Sequence, residues 1–261
     1  MTNSQSPSTD DRVKSLSFAK ESEIQEAAFS HGYQRFSGLA DGWYWFRSDT
    51  APGEIALAAS NDHWFLAVQH HGVAAELKGL QTAPVPPSAA AAFSYSDRDM
   101  LRASLSRAYH LARSLPTAPL QLFQEQLSAL GQTEVERLAR QRVGQDIFRR
   151  ALLDYWGEQC PLTGITDPAL LRASHIVPWS ECGSDADRLD VHNGLLLSSL
   201  WDAAFDKGLV SFDASGLPLL SPHLSEAAFH HLHLGNVTPL MLTAAHHERL
   251  SWHREKIFRA S

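Results

Sequence analysis

The sequence predicts an α+β protein that consists of a small N-terminal α+β domain, a helical connector and a larger C-terminal domain. Three observations lead to this fold class. Short apolar and aromatic runs follow a first helical stretch, helical spacing of apolar residues dominates the middle of the chain, and near Ser198 a strand-like pattern changes to a helix-like one. The expected segments are a disordered tail over 1–14, an accessory α+β domain over 15–80, a linker over 81–96, the helical connector over 97–132 and the C-terminal domain over 133–261.

The accessory domain is expected behind the disordered tail. Residues 1–14 are rich in Ser, Thr and Asp and hold too few apolar side chains to offset the entropy of ordering. A helical stretch around Glu21–Phe29 is followed by runs typical of strands, separated by turn dipeptides such as Asp41-Gly42. The runs are Trp43–Arg47, Glu54–Ala59 and His63–Val68. Their tryptophans fit the core of the domain, and a stacking platform for bases is the alternative.

A linker is predicted over Gln81–Ala92 (QTAPVPPSAAAA), because three prolines and the absence of charge favour a semi-rigid chain. Ser96, with Asp99 three positions later, marks the start of a helix that keeps its apolar spacing to about Leu115. Prolines then end that helix and admit another, over roughly Pro119–Leu130. These two helices form the expected connector.

The next helix is the clearest in the chain. Thr133 and Glu136 fit a capping box, and apolar residues at helical spacing run from Val135 towards Trp156. The other faces of the helix carry Arg137, Arg140, Arg142, Arg149 and Arg150. A solvated helix face and a contact with phosphate both remain open for these arginines.

Composition limits the classes of function. The net charge of −7 disfavours indiscriminate nucleic-acid binding, but residues 98–150 hold nine basic and five acidic side chains, a basic block just before the segment with the candidate chemistry. The two cysteines, Cys160 and Cys182, are too few for a disulfide scaffold or a four-cysteine zinc site. No apolar run resembles a signal peptide or a membrane helix, so we expect a cytoplasmic protein without membrane contact.

Two strings of the C-terminal domain carry the candidate chemistry: RASHIVPW over Arg172–Trp179 and HNGLLLSSLWDAAFDKGLVSF over His192–Phe212. Each string contains a short strand, a polar loop lies between them, and a helix follows the second strand and stops at Gly208. Asp202 and Asp206 are four positions apart, so both carboxylates project from one face of this helix.

If the helix packs across the two strands, His175 converges with Asp202 and Asp206. A neutral imidazole can take a proton from water, and hard oxygen ligands can hold a divalent cation that offsets the charge of a phosphate. This pair of groups is what hydrolysis of a phosphodiester requires.

These strings, together with QRVGQDIFRRALLDYWGEQCPLTG over Gln141–Gly164, resemble the HNH endonuclease family, and in particular a branch often found in restriction enzymes. The resemblance covers roughly Thr133–Asp213, with weaker similarity around Leu250–Phe258. It implies a ββα-metal fold for the C-terminal domain. His175 matches the general base, and Asn193 matches the residue that holds the hairpin and orients that base.

The resemblance also implies a divalent metal ion. Asp202 falls where many members of the family place a histidine ligand, and oxygen ligation there favours magnesium or manganese. Asp206 is a second candidate ligand. Ser174 stands where many relatives have Asp or His, and we expect it to act through water. Thr163 stands where some relatives have a second cysteine, so no structural zinc is expected.

The implied function is a metal-dependent endonuclease that hydrolyses DNA, in restriction or defence. DNA is the expected partner, contacted through Arg140, Arg142, Arg149 and Arg172. We also expect that the protein can form a homodimer. Two alternatives stay open: a non-catalytic DNA-binding or regulatory module that keeps the fold, and a nuclease that acts on RNA or as a toxin. His192 and the histidine groups near residues 230 and 246 are interpreted as surface or core residues rather than ligands.

Overall fold

The computed structural model of the protein describes residues 18–60, 63–81, 85–127, 134–234 and 237–261. The chain divides into two compact units, Met1–Arg113 (the N-terminal unit) and Ser114–Ser261 (the C-terminal unit). The expected tail over 1–14 and Thr133 of the expected capping box lie outside the described residues. Helices and antiparallel sheets together confirm the predicted α+β class.

A six-stranded antiparallel sheet with flanking helices forms the N-terminal unit. The strands lie in the order β1-β2-β3-β4-β6-β5. The elements are α1 (Phe18–Ser30), β1 (Arg35–Ala40), β2 (Trp43–Arg47), β3 (Glu54–Ala59), β4 (Trp64–Val68), α2 (His71–Glu76), β5 (Leu80–Gln81), β6 (Ala91–Tyr95) and α3 (Arg98–Ser114). The three runs that the sequence indicated as strands become β2, β3 and β4, whereas the mostly exposed edge strand β1 was not expected.

Aromatic side chains and alanines of the central strands form one buried cluster. Trp43 and Phe65 are buried in this cluster against Ala56 and Ala67, and Trp45 packs against its edge. The interpretation of Trp43 as a core residue therefore holds, because a ring with only 3% of its surface exposed cannot stack on bases.

The structure differs from the expected linker. Ala91–Tyr95 is the strand β6 and pairs with β4 over five residues, from Trp64 opposite Tyr95 to Val68 opposite Ala91. Ala92 and Phe93 are almost completely buried. A run of alanines without charge fits a tightly packed central strand as well as a linker, and here burial of the run decides between them. The expected connector is likewise divided, since α3 belongs to the N-terminal unit up to Arg113.

The C-terminal unit holds two antiparallel hairpins among helices. Its elements are α4 (Thr117–Leu127), α5 (Glu134–Trp156), β7 (Leu171–His175), α6 (Asp185–Leu189), a 3₁₀ turn (Val191–Asn193), β8 (Gly194–Ser198), α7 (Ser199–Asp206), β9 (Val210–Phe212), β10 (Pro218–Leu220), α8 (Glu226–His231) and α9 (Ala244–Lys256). β7 pairs with β8 from Leu171 opposite Ser198 to His175 opposite Gly194, and β9 pairs with β10. The order strand, loop, strand, helix confirms the expected ββα arrangement over β7, β8 and α7.

A hydrophobic core fixes α7 against this hairpin. Leu195 and Leu197 of β8 pack with Trp201 and Phe205 of α7, and all four side chains are almost completely buried. Further members of the core come from beyond the hairpin and α7: Val210, Phe212, Leu232, Leu240 and Leu250. The helix can therefore not move away from the strands without exposing this apolar surface.

Gly194 allows β8 to approach α5. A β-carbon at this position would lie 2.5 Å from Phe148 and 2.7 Å from Leu152, both on α5. Only glycine fits such a close approach without displacing the helix. Among the described residues, no helix combines the length and apolar character needed to span a membrane.

Candidate active site

β7, the segment that follows it and α7 border a cleft of about 360 Å³. The cleft is lined by Ala173, Ser174, His175, Ile176, Pro178, Trp179, Asp202, Asp206, Lys207, His253 and Ile257. The structure thus brings together the candidate base His175 and the candidate ligands Ser174, Asp202 and Asp206. The convergence follows from register, because β7 ends at the cleft and α7 crosses the same hairpin with both aspartates on one face.

His175 is held in one orientation. Its imidazole stacks on Phe148 with ring centroids 3.8 Å apart, and Trp179 meets it edge-on at 5.7 Å. Nε2 lies 2.9 Å from the main-chain oxygen of Arg188. A carbonyl oxygen only accepts hydrogen bonds, so Nε2 carries the proton and Nδ1 presents a lone pair.

The lone pair on Nδ1 is available for chemistry. Across the parts of the chain that the structure describes, no hydrogen bond to Nδ1 of His175 is formed. Burial lowers the pKa of His175 and outweighs the opposing effect of the hydrogen bond to Arg188. The imidazole is therefore neutral at neutral pH, which is the form that accepts a proton.

Asn193 joins the hairpin to the loop that holds His175. Its buried amide accepts a hydrogen bond from the Val177 nitrogen at 2.9 Å and donates to the Val177 oxygen at 3.1 Å. The same amide donates to the Asp187 oxygen at 3.3 Å. Asp187 is next to Arg188, whose carbonyl meets Nε2 of His175, so the backbone of this loop links the Asn193 amide to the candidate base.

Asp202 and Asp206 face the cleft from α7, four residues apart. Burial raises the pKa of Asp202, the charge of Asp206 raises it further, and Ser174 and Arg172 oppose these effects in part. Partial burial also raises the pKa of Asp206, against the effects of Ser174 and Lys207. The Ser174 hydroxyl donates to Asp206 Oδ1 at 3.3 Å. The ionised forms of both carboxylates are therefore disfavoured. A bound cation would offset this effect.

The oxygen atoms at the cleft are of the kind that bind a hard divalent cation such as magnesium or manganese. Over the ranges described here, no group of three or more His, Cys, Asp or Glu side chains lies close enough together to hold a metal ion. Asp202 and Asp206 with the Ser174 hydroxyl supply two carboxylates and one neutral oxygen. Mg²⁺ is commonly held by one or two carboxylates, with water and substrate phosphate completing its shell. The residues therefore fit an ion that is bound together with its substrate.

The four candidate arginines have different environments. Arg149 donates to the Leu171 oxygen at 2.8 Å and to the Pro168 oxygen at 2.7 Å. The structure differs from the sequence expectation here, because this guanidinium fixes the turn before β7. Arg172 donates to the Ala169 oxygen but stays exposed, and its charge acts on Asp202. Arg140 pairs with Asp185 at 3.1 Å, and Arg142 is exposed on α5.

Sequence reasoning missed several residues at the cleft. Lys207 lines it directly beside Asp206, and the dipeptide Asp-Lys before Gly208 gave only a helix end. His253 and Ile257 reach it from α9 and the residue that follows, the region where the resemblance to the HNH family was weak. The residue spacing of the hairpin does not indicate that a distant helix packs against the same core, so the contribution of α9 to the cleft could not be predicted from it.

His253 is fixed at both ring nitrogens. Its ring stacks on Phe205 at 3.9 Å, Nδ1 lies 3.0 Å from the Ser211 hydroxyl and Nε2 lies 3.2 Å from the Phe205 oxygen. The carbonyl requires a proton on Nε2, so Nδ1 accepts from the Ser211 hydroxyl. Burial lowers the pKa of His253 to about 4.

Gly208 anchors the end of α7 to the chain after α9. It has φ +68°, and a β-carbon there would lie 2.1 Å from the Ile257 oxygen. The Arg259 nitrogen donates to the Gly208 oxygen at 2.9 Å. The wall of the cleft at Ile257 is thus tied to the helix that carries the aspartates.

His192 and the other histidine groups are not part of the cleft. His192 Nδ1 lies 2.9 Å from Asp190 Oδ1, and Arg249 reaches Asp190 Oδ2 at 2.5 Å. Burial alone would raise the pKa of Asp190, but the hydrogen bond from His192 and the charge of Arg249 hold it below its usual value. His246 is fully buried and His230 is largely exposed. The core and surface interpretations fit these positions.

Comparison with known proteins gives one finding. A family model described as HNH endonuclease matches residues 160–213. The matched segment includes Ser174, His175, Asn193, Asp202 and Asp206. No curated protein matches the chain.

Proposed function

We propose, from the premise that residues 160–213 belong to the HNH endonuclease family and form a nuclease domain, that this protein is a divalent-metal-dependent endonuclease of DNA. The observation that carries the proposal is the imidazole of His175, which is oriented by the Arg188 carbonyl and lines the same cleft as the carboxylates of Asp202 and Asp206. A base and an acidic cation site in one cleft support hydrolysis of a phosphodiester.

The base acts on water. Nδ1 of His175 takes a proton from a water molecule as the oxygen of that water bonds to phosphorus, and the bond from phosphorus to the leaving oxygen breaks with its electron pair on that oxygen. The charge that develops on the ring is stabilised by the Arg188 oxygen at 2.9 Å from Nε2. Because burial disfavours the charged ring, His175 releases the proton readily after the reaction.

The carboxylates supply the second half of the chemistry. Asp202, Asp206 and the Ser174 hydroxyl would hold a divalent cation. When bound, that cation offsets negative charge on the phosphate and on the leaving oxygen. Arg172 and Lys207 place positive charge beside the carboxylates and orient the phosphate. Arg140 and Arg142 on α5 are proposed to contact backbone phosphates further along, so affinity falls as salt rises.

The direct test is nicking of supercoiled plasmid DNA in the presence of Mg²⁺ or Mn²⁺. Wild-type protein should cleave only with the metal present, and His175→Ala and Asp202→Asn should bind the plasmid without cleaving it. His230→Ala is the matched control, since His230 is an exposed histidine of α8 and should cleave like wild type. Binding without cleavage by the wild-type protein would instead support the non-catalytic alternative.

The nature of the substrate needs a parallel comparison. Duplex DNA, single-stranded DNA and structured RNA, incubated under the same conditions, separate the DNA nuclease from the RNA-directed or toxin alternative. Sequencing the ends of the cleaved DNA would then report the target and the stagger between strands. A role in restriction or defence stays a prediction from the resemblance, tested by phage plating with the His175→Ala protein as control. Light scattering tests the expected homodimer.

A further inference from the structure

A second cavity lies beside the cleft in the C-terminal unit. Its volume is about 530 Å³, and we call it the side pocket. It is lined by Phe123, Arg140, Gln141, Trp179, Ser180, Asp185 and Arg188. The volume falls within the roughly 300 to 1,000 Å³ of pockets that take small organic groups. Trp179 lines both this pocket and the cleft, so the two cavities share a wall.

The shared wall is built by a close approach of Trp179 to α5. A β-carbon on Gly144 would lie 2.3 Å from the indole, so the indole can occupy this position only because residue 144 lacks a side chain. The same indole meets His175 edge-on with ring centroids 5.7 Å apart. The side pocket is therefore about one ring away from the proposed base.

Two aromatic–guanidinium pairs line the side pocket. Arg188 lies over Trp179, with 5.7 Å from its guanidinium carbon to the ring centroid, and Arg140 lies over Phe123 at 5.6 Å. Unstacked nucleobases stack on flat rings and guanidinium planes, and the partly exposed Trp179 and the exposed Arg140 offer such surfaces, whereas Phe123 is buried and contacts Arg140. The Gln141 amide in the same lining offers both a donor and an acceptor to the edge of a base.

The charges of the side pocket suit a polyanion nearby. Asp185 is paired with Arg140 at 3.1 Å and with Arg188 at 3.0 Å, so two cations compensate its carboxylate. Arg188 also donates to the Trp179 and Cys182 oxygens, which fixes the loop. Arg140 keeps 52% of its side chain exposed and can turn towards a ligand.

We propose that the side pocket receives one unstacked nucleobase of the DNA strand whose phosphate lies in the cleft. This inference rests on the proposed function, because the cleft must hold that phosphate. Successive nucleotides of one strand are about 3.4 Å apart along the helix axis, so a base near the scissile phosphate reaches a pocket that begins one indole ring away. Displacing a base from the stack costs energy, which favours sites where the base is mismatched, damaged or unpaired.

The test measures binding to a short DNA duplex that contains the cleavage position. His175→Ala protein is the parent, because it should bind without cutting, and Trp179→Ala, Trp179→Phe, Arg140→Ala and Arg142→Ala are made in it. A series of duplexes carries an abasic nucleotide at each position around the cut. Dissociation constants come from fluorescence anisotropy, and a fluorescent base analogue at the same positions reports unstacking.

For the intact duplex, Trp179→Ala should weaken binding by about 5- to 100-fold, the range expected for loss of one base–aromatic contact. Trp179→Phe should restore most of the affinity. When the abasic nucleotide is at one position of the series, and only then, the parent and the Trp179→Ala variant should bind the duplex with the same dissociation constant. Arg140→Ala should reduce the same base-dependent difference, whereas Arg142→Ala, on the same helix but outside the pocket lining, should leave that difference in place. Arg140 is exposed, so its variant tests the pocket even if Trp179→Ala fails to fold.

The outcomes separate the two proposals. If Trp179→Ala and Arg140→Ala weaken binding to every abasic duplex as much as to the intact one, no base enters the side pocket, and the inference is wrong while the nuclease stands. If wild-type protein cleaves no DNA and the parent binds none, the proposed function itself fails and the inference falls with it.

Discussion

His175 and His253 occupy closely similar surroundings in the same cleft and differ at one nitrogen. Each ring stacks on a phenylalanine, at 3.8 Å for His175 and 3.9 Å for His253. Each donates from Nε2 to a main-chain oxygen, and burial lowers the pKa of each. Nδ1 of His253 accepts from Ser211, whereas no described residue forms a hydrogen bond with Nδ1 of His175.

The difference separates a structural histidine from a candidate base. A stacked, neutral imidazole with both nitrogens satisfied contributes to packing and has no lone pair left for a substrate. The same imidazole with one nitrogen open can take a proton. Burial, stacking and a lowered pKa are thus shared by both histidines, and only the free lone pair on Nδ1 distinguishes the candidate base.

The largest expected effect comes from removing each ring in turn. His175→Ala should reduce the rate of DNA cleavage by about 10²- to 10⁴-fold, the usual contribution of a general base. His253→Ala should lose far less activity when assayed well below its melting temperature, because no lone pair of His253 is open. Single-turnover rates on one duplex, with circular dichroism to verify folding, measure both. Equal losses in the two variants would remove the distinction between the histidines.

Stability should show the reverse order. His253→Ala removes a buried ring with two hydrogen bonds and leaves a cavity, so its free energy of unfolding should fall by about 2 to 4 kcal/mol. His175→Ala loses a stacking contact with Phe148, an edge-on contact with Trp179 and one hydrogen bond at the wall of an open cleft, and its loss should be about 1 to 2 kcal/mol. Urea unfolding of the two variants beside wild type gives the ranking. A larger loss for His175→Ala contradicts it.

The pH dependence of cleavage sharpens the comparison further. The reaction needs neutral His175, and the neutral form is populated above its pKa. Because burial lowers that pKa below 6.5, activity at saturating Mg²⁺ should persist below pH 6.5 before it falls. The measurement is the pH profile of kcat/KM. An acid limb centred above pH 6.5 would show that another group controls the reaction.

The smallest expected effect concerns the acidic side of the cleft. The raised pKa of Asp202 means that the folded protein favours its protonated form, so the contribution of this group to stability is largest at low pH and falls as pH rises through the raised pKa. Asp202→Asn should therefore raise the melting temperature slightly at pH 7. Calorimetry at pH 5 and pH 7 should show the gain shrinking at the lower pH. Asp213→Asn should change the melting temperature in the opposite direction, because hydrogen bonds lower the pKa of Asp213.

The sequence predicted the parts of the site that depend on short-range periodicity. His175 at a strand end and two aspartates four residues apart converge because strand and helix geometry leave little choice. The Arg188 carbonyl, which selects the proton position on His175, could not be predicted, since it depends on the path of a polar loop without periodic spacing. The strand β6 was missed for a related reason, because its alanines indicate a strand only once their burial is known.

The segment 160–213, which carries the candidate site residues, depends on contacts with residues outside it. Residues 160–213 include the candidate base and both aspartates, but Phe148 against the His175 ring, Leu250 in the core and Ile257 at the cleft wall come from helix α5, helix α9 and the chain after α9. A fragment trimmed to the matched segment would lose the His253 ring that covers Phe205, so we expect it to be unstable. Transplanting this nuclease into another scaffold therefore means moving both flanking helices with it.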